Sequence, residues 1–187
     1  MRCKKVSIHP LESKRKVGAK MKTYSGTYEH NLDAKNRLFI PSDFKELIEG
    51  KLTIRLNLSK HSHIDCFLEK DFEDVVKAEI ENSDKPYPKD MLDSIARAYA
   101  KTVTIDNGGR ICIPAKLLEK AGITKESVFV GKGTYFQIWN PETHEEYNEF
   151  LLERIIADTE AEIAENNKRN EYREKGYFLD IKNTLGA

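Results

Sequence analysis

The sequence predicts an α+β protein built from two tandem repeats, which share one β core and carry their helices on the outside. The main observation is an internal repeat, because residues 32–41 read LDAKNRLFIP and residues 105–114 read IDNGGRICIP. Both segments have the form D-x-x-x-R, two apolar residues and Ile-Pro. In addition, each half is too small to enclose a good core alone, so we expect the two halves to pack as a pseudo-dimer.

Each copy of the repeat predicts a strand into the Asp, a turn that carries the Arg, a short apolar strand and a helix. Pro41 and Pro114 suit the first turn of these helices, because a missing N–H costs nothing there and the ring presets φ. Gly50 and Gly122 lie where each helix should end, as left-handed caps.

Further segments typical of β-strands follow each short helix, and a longer helix then follows these strands. The predicted strands are residues 53–58 and 66–68 in the first half and 128–130 and 135–139 in the second. A helix is predicted over roughly 71–82, and the proline-rich segment 84–88 ends it. A final helix should begin after Asn140, as N-cap, and extend to about Lys175. Its predicted apolar side carries Tyr147, Leu151, Ile155 and Ile163.

Composition limits the classes of function. A hydrophobic fraction of 39% over 187 residues supports a real core. The cysteines Cys3, Cys66 and Cys112 are scattered and odd in number, which favours neither a disulfide framework nor a zinc ribbon, so we expect a reducing cytoplasm. No stretch approaches the roughly 18 apolar residues of a membrane span, and no membrane role is expected.

The formal net charge is zero, but it is distributed unevenly. Residues 1–22 contain eight Lys and Arg and one Glu, so the rest of the chain carries a formal net charge of −7. Because phosphate binding needs clustered cations, any DNA contact must come from a local basic patch. We interpret residues 1–20 as a basic, disordered arm; alternatively, Met21 is the natural start of the protein.

The residues able to do chemistry predict no enzyme, metal site or cofactor. His61 and His63 with Asp65 and Cys66 could be imagined as a metal cluster, but we expect the histidines in a polar turn between strands, where alternate residues face opposite ways. The segment 131–133, Gly-Lys-Gly, lacks the spacing of a phosphate loop and leads into a strand, so a hairpin turn is predicted. No catalytic triad is indicated.

The D-x-x-x-R turns are the candidate functional loops. In each, the carboxylate can accept turn N–H bonds and pair with the guanidinium, so a structural role is expected for Asp33, Asp106 and Arg110. Asn36 and Gly109, directly before each Arg, tolerate the positive φ of such a turn.

The first loop differs from the second in charge. Lys35 and Arg37, with His30 nearby, make it cationic, whereas the second loop offers Arg110 beside two glycines. If one of the two loops contacts DNA, we therefore expect it to be the first.

From Met21 to Leu152 the sequence resembles the MraZ family of bacterial proteins. The matching segments are Tyr24–Tyr28, Leu32–Arg37, both Ile-Pro helix starts and Gln137–Asn140. The resemblance implies swapped-hairpin AbrB-like β-α-β repeats, packed as a pseudo-dimer β-barrel with a long C-terminal helix. Two departures stand out, since Asn36 replaces the family's usual glycine and the basic arm has no family counterpart.

The resemblance also implies a function. Such proteins are cytoplasmic, nucleoid-associated transcription factors that form rings of about eight or more subunits. They bind short direct repeats in double-stranded DNA upstream of their own operon of cell-wall and division genes, and their DNA-contacting loop corresponds to Lys35 and Arg37 here. The alternatives are a structural ring or interaction protein without DNA specificity and, less favoured, an enzyme acting on nucleic acid or a small molecule.

These observations divide the chain into five segments. They are the arm or misassigned start at 1–20, SpoVT-AbrB-like repeat 1 at 27–73, a connecting helix and linker at 74–99, SpoVT-AbrB-like repeat 2 at 100–145, and the C-terminal helix and tail at 146–187.

Overall fold

The computed structural model describes residues 23–84 and 86–185, with side chains described up to residue 171. The predicted basic arm therefore lies outside the described residues. The strands are β1 (Thr27–Asn31), β2 (Arg37–Phe39), β3 (Leu52–Asn57), β4 (His63–Leu68), β5 (Ala100–Val103), β6 (Arg110–Cys112), β7 (Glu126–Gly131) and β8 (Phe136–Trp139). The helices are α1 (Ser42–Lys45), α2 (Glu69–Glu81), α3 (Lys89–Ala98), α4 (Ala115–Lys120) and α5 (Pro141–Leu185).

The two halves exchange strands. The larger sheet has the order β1-β7-β8-β4-β3-β5, and the smaller sheet pairs β2 with β6. Thus the first strand of each half pairs with a strand of the other half, β1 with β7 and β5 with β3, and all pairings are antiparallel. The fold is α+β with an antiparallel sheet and a long C-terminal helix. The expected barrel is not confirmed, because β1 and β5 remain the edges of an open sheet.

The core is shared by the two halves. Leu38 of β2 faces Ile111 of β6 in the register, and both side chains are fully buried. The flanking residues on each short strand alternate outward, so one face of the small sheet closes the core and the other faces the surface. Phe44 of α1 and Leu118 of α4 complete this core from the helices that follow each strand.

The short helices begin one residue later than predicted. Pro41 and Pro114 are the N-cap residues, with extended ψ angles of 140° and 133°, rather than members of the first turn. Gly122, at φ 67°, follows the C-cap of α4 directly and is confirmed as a left-handed cap. Gly50 also has a positive φ of 89°, but it lies five positions after the end of α1, so its prediction as the cap of that helix was wrong.

The longer helices match their predictions unequally. α2 starts two residues earlier than predicted, and α3 occupies part of the segment predicted to be linker. Asn140 is confirmed as the N-cap of α5, because its Oδ1 accepts the backbone N–H of Thr143 at 3.0 Å. The predicted apolar side of α5 packs only at its start: Tyr147 stacks on Trp139 at 5.0 Å, whereas Ile155 is 60% exposed.

Candidate nucleic-acid interface

The first D-x-x-x-R loop is closed around the Asp33 carboxylate. Its Oδ1 accepts the backbone N–H groups of Lys35 at 2.8 Å and Arg37 at 3.0 Å. Its Oδ2 accepts Nε of Arg37 at 2.8 Å, and Nη2 of the same guanidinium lies 2.7 Å away. Asn36 occupies the left-handed region at φ 58°. One carboxylate therefore fixes both the turn and the direction of the Arg37 side chain.

The second loop repeats this geometry. Asp106 accepts the backbone N–H groups of Gly108 at 2.8 Å and Arg110 at 3.0 Å. It also accepts Nε of Arg110 at 2.9 Å, with Nη2 at 2.9 Å. Gly109 takes the left-handed position, at φ 80°. The repeat in the sequence is thus a repeat of one hydrogen-bonding unit.

The two loops lie side by side because β2 and β6 pair. Ile40 donates its backbone N–H to Gly109 O at 3.0 Å, and Ile113 donates to Asn36 O at 2.9 Å, so each loop is held by the strand of the other half. Arg37 Nη1 approaches the Asp106 carboxylate of the other loop to 3.7 Å. The pairing creates one continuous surface from segments 73 positions apart in the chain.

Both loop carboxylates are ionised at neutral pH. The Arg37 guanidinium, which donates to the carboxylate, lowers the pKa of Asp33 to about 2, although burial acts in the opposite direction. The backbone N–H of Arg110 and its guanidinium likewise lower the pKa of Asp106 against the effect of burial. The hydrogen bonds that shape the two loops therefore persist throughout the physiological pH range.

The exposed charge on this surface is asymmetric. Lys35 is exposed, and the equivalent position of the second loop is Gly108. Lys45 of α1 lies over Gly109, since a Cβ added there would meet its Nζ at 2.9 Å. Arg110 lies over the ring of the half-exposed Phe39 at 5.4 Å. We call Lys35, Arg37, Phe39, Lys45 and Arg110 the paired-loop surface.

Sequence reasoning missed Lys45. It follows the first loop by eight positions, and only the pairing of β2 with β6 brings α1 against the second loop. Within residues 23–84 and 86–185, neither Lys35 nor Lys45 forms an ion pair. Both ammonium groups are therefore available to an external anion.

The histidine cluster considered as a metal site is arranged differently from its prediction. His63 and Asp65 lie in β4 rather than in a polar turn, on one face, with His63 Nε2 3.2 Å from Asp65 Oδ1. Cys66 faces the other side of the sheet, and the His61 ring packs against Tyr147. No group of three or more potential metal ligands occurs among the described residues.

One further sequence prediction concerns the connection between β7 and β8. The segment 131–133 forms the predicted hairpin turn between β7 and β8, with Lys132 donating its backbone N–H to Tyr135 O at 2.9 Å. Among the helices in the described part of the chain, none combines the length and the apolar character needed to cross a membrane.

Comparison with known proteins adds the family. Residues 23–94 and 97–167 each match the family described as "MraZ protein, putative antitoxin-like". A protein named Transcriptional regulator MraZ from Mycoplasmoides gallisepticum is 29% identical over 132 residues, covering 71% of this chain and 92% of the relative. Proteins of the same name are 32% identical over 145 residues in Ureaplasma urealyticum, covering 76% and 94%, and 36% identical over 126 residues in Thermoanaerobacter pseudethanolicus, covering 66% and 85%. With a family match in each half, this chain belongs to the MraZ family.

Proposed function

We propose that the protein is a sequence-specific regulator of transcription that binds double-stranded DNA through the paired-loop surface. The observation that carries this proposal is the cationic first loop, whose Arg37 is held in place by Asp33 while Lys35 remains unpaired among the described residues. Similar proteins are named transcriptional regulators. The corresponding location is the cytoplasm, in association with the nucleoid.

The guanidinium of Arg37 has donors left for a base. Of its five N–H groups, Asp33 engages the one on Nε and one on Nη2, while Nη1 lies 3.7 Å from the Asp106 carboxylate, beyond hydrogen-bonding distance. An arginine fork held in this way can donate two bonds to the O6 and N7 acceptors of guanine in the major groove. Asp33 then acts as a positioning residue, because it presents the fork in one orientation.

The other cations have a different part in this proposal. Lys35 and Lys45 are flexible point charges beside the fork and suit contacts with phosphate, which set the register of the protein on the duplex. The two repeats, which we place at residues 27–73 and 100–145, act as a pseudo-dimer that holds both loops at one surface. Neither a catalytic role nor a cofactor belongs to this function.

One such loop on a subunit is a weak binder, because the chain outside residues 1–22 carries a net charge of −7. Several subunits that engage tandem sites gain affinity through effective concentration. We therefore include in the proposal a ring of about eight or more subunits. Its target is a set of direct repeats upstream of the protein's own cell-wall and division operon.

Two exposed apolar surfaces support assembly of this kind. Helix α3 is amphipathic, and its apolar residues Met91 and Ile95 are both exposed. On the part of α5 whose side chains are described, the exposed large apolar side chains are Phe150, Leu152, Ile155, Ile156 and Ile163. Two different apolar surfaces on one chain suit a head-to-tail contact, in which α5 of one copy packs against α3 of the next, and such contacts close into rings.

Replacing Ile155 and Ile156 together by Glu is expected to break the oligomer into smaller species, because it puts two charges into an apolar contact. Ala157→Glu, on the opposite side of α5, is the matched control and should leave the assembly intact. Multi-angle light scattering at micromolar concentration checks both variants. An unchanged mass for the double variant would exclude this face as the interface.

The proposed function is tested by gel shift on the DNA upstream of the protein's own gene. We expect binding that depends on sequence and weakens as salt rises, since phosphate contacts release counterions. A scrambled duplex of equal length and composition is the control. Equal binding to both duplexes, or none at low salt, would favour instead a structural ring without DNA specificity.

A further inference from the structure

The outward face of the small sheet carries an aromatic ring beside the arginine fork. Leu38 and Ile111 turn inward and are fully buried, so the neighbouring positions of β2 and β6 point to the surface. Phe39 is one of these outward residues, and it is 50% exposed although its side chain is large and apolar. Since β2 already directs Leu38 into the core, the ring of Phe39 can contact a partner outside the chain.

The register of the two strands determines what surrounds the ring. Phe39 lies opposite Arg110, and Arg37 lies opposite Cys112. The guanidinium carbon of Arg110 lies over the ring, 5.4 Å from its centroid, and Asp106 holds that guanidinium through Nε at 2.9 Å. One face of the ring is therefore covered by a fixed cation, and Arg37 lies on the same outward face two residues earlier in the strand.

The ring belongs to one half of the repeat. When the two D-x-x-x-R segments are aligned, Phe39 corresponds to Cys112, just as Lys35 corresponds to Gly108. Both differences add a side chain to the strand and loop that carry Arg37. The outward face thus combines the fork of Arg37 with a large apolar group on the same strand.

Given the proposed binding of DNA, on which this inference rests, we propose that Phe39 reads the C5 methyl group of a thymine in the major groove. A two-stranded ribbon fits this groove, and the methyl group is the apolar feature by which thymine differs there from the other bases. Residues 37 and 39 are about 7 Å apart along the strand, and successive bases are about 3.4 Å apart. The thymine therefore lies within about two base pairs of the guanine that Arg37 reads.

The covered face of the ring argues against insertion between two bases. An apolar wedge that unstacks a base step contacts one base with each of its faces. Here the guanidinium of Arg110 occupies one face of the Phe39 ring, so the other face and the edge remain. A single methyl group matches this remaining apolar surface.

Deoxyuridine is the probe, because it lacks only the C5 methyl group of thymidine and keeps the same base-pairing edge. Gel shift compares the duplex from upstream of the protein's own gene with the same duplex in which deoxyuridine replaces thymidine, first throughout and then at one position at a time. We expect affinity to fall about fourfold per engaged subunit, the effect of one buried methyl group. In the single replacements, the loss should be confined to thymines near a guanine.

Variants at position 39 connect this loss to the ring. Phe39→Ala should bind the thymidine and deoxyuridine duplexes equally, because the group that contacts the methyl is gone. Phe39→Leu should keep a preference for thymidine, because its side chain remains apolar. Tyr87→Ala removes a similarly exposed ring from the segment before α3 and is the matched control, which should keep both the affinity and the preference. Thermal melting verifies that each variant is folded.

The negative results are distinguishable from one another. Sequence-specific binding that is equal for the thymidine and deoxyuridine duplexes would overturn the role of Phe39 and leave the proposed function standing. Equal binding of the upstream duplex and a scrambled duplex would overturn both. A preference for thymidine that persists unchanged in Phe39→Ala would assign the methyl contact to another residue and would also overturn the role of Phe39.

Discussion

Arg37→Ala is expected to abolish sequence-specific DNA binding, while Arg110→Ala leaves it detectable. The two arginines form the same bonds within their loops, so both variants should lower the melting temperature by similar amounts. Only the first loop adds Lys35, where the second has Gly108. Loss of a guanine contact costs about ten- to a hundredfold per engaged subunit, and these losses compound over several tandem sites.

Gel shift and thermal melting on matched variants check this prediction. Lys35→Ala should weaken binding evenly across DNA sequences, because a phosphate contact carries no base information. Light scattering must show that each variant keeps the mass of the unmodified oligomer. Normal operator binding by Arg37→Ala together with loss in Arg110→Ala would assign the reading to the second loop.

The sequence predicts local units of this fold better than their assembly. The repeated D-x-x-x-R segment specifies a turn, a strand and a helix start from residues close in the chain. The exchange of strands, such as Thr27 with Val130, depends on register across about a hundred positions, which periodicity does not contain. The helix α3 was missed because Pro86 and Pro88 were read as a break, although Met91, Leu92 and Ile95 have helical spacing.

The same distinction applies to the candidate site. Lys35 and Arg37 stand out because the charge difference between two aligned loops is visible in the sequence. Lys45 becomes part of the surface only through the pairing of β2 with β6. The place of His63 was wrong because strand β4 starts three residues before the apolar run that marked it. A polar residue on a buried strand resembles a turn residue in the sequence when the groups that hydrogen-bond to it are distant in the chain.

The partners of His63 form a buried polar network across the sheet. Arg55 donates from Nη2 to Asp65 Oδ2 at 3.1 Å and from Nη1 to Glu79 at 2.7 Å. Gln137 donates to Asp65 Oδ1 at 2.9 Å, and His63 Nε2 lies 3.2 Å from the same oxygen. Asp65 therefore accepts from strands β3 and β8 and sits at the junction of the two halves.

Asp65 also makes stability depend on pH. Burial alone would raise the pKa of this carboxyl, but the hydrogen bond and charge of His63, the charge of Arg55 and the Gln137 bond outweigh burial and lower the pKa. A carboxyl whose pKa is lower in the folded chain contributes stability above its unfolded pKa. That contribution is lost as pH falls through the folded-state pKa. The decrease in the free energy of unfolding at acid pH therefore reports on the protonation of Asp65.

Asp65→Ala is expected to destabilise the fold by about 3 kcal/mol, because it leaves the Gln137 amide without its carboxylate acceptor and the buried Arg55 with Glu79 as its remaining carboxylate partner. Urea denaturation at neutral pH measures the loss, and the variant should also lose part of the acid dependence of stability. Arg55→Met combined with Asp65→Leu should recover most of the loss, because it replaces the buried ion pair by two apolar side chains. Glu73→Ala is the matched control and should change stability little, because it removes only the exposed ion pair with Arg97. Equal effects of Asp65→Ala and Glu73→Ala would show that the network does not hold the two halves together.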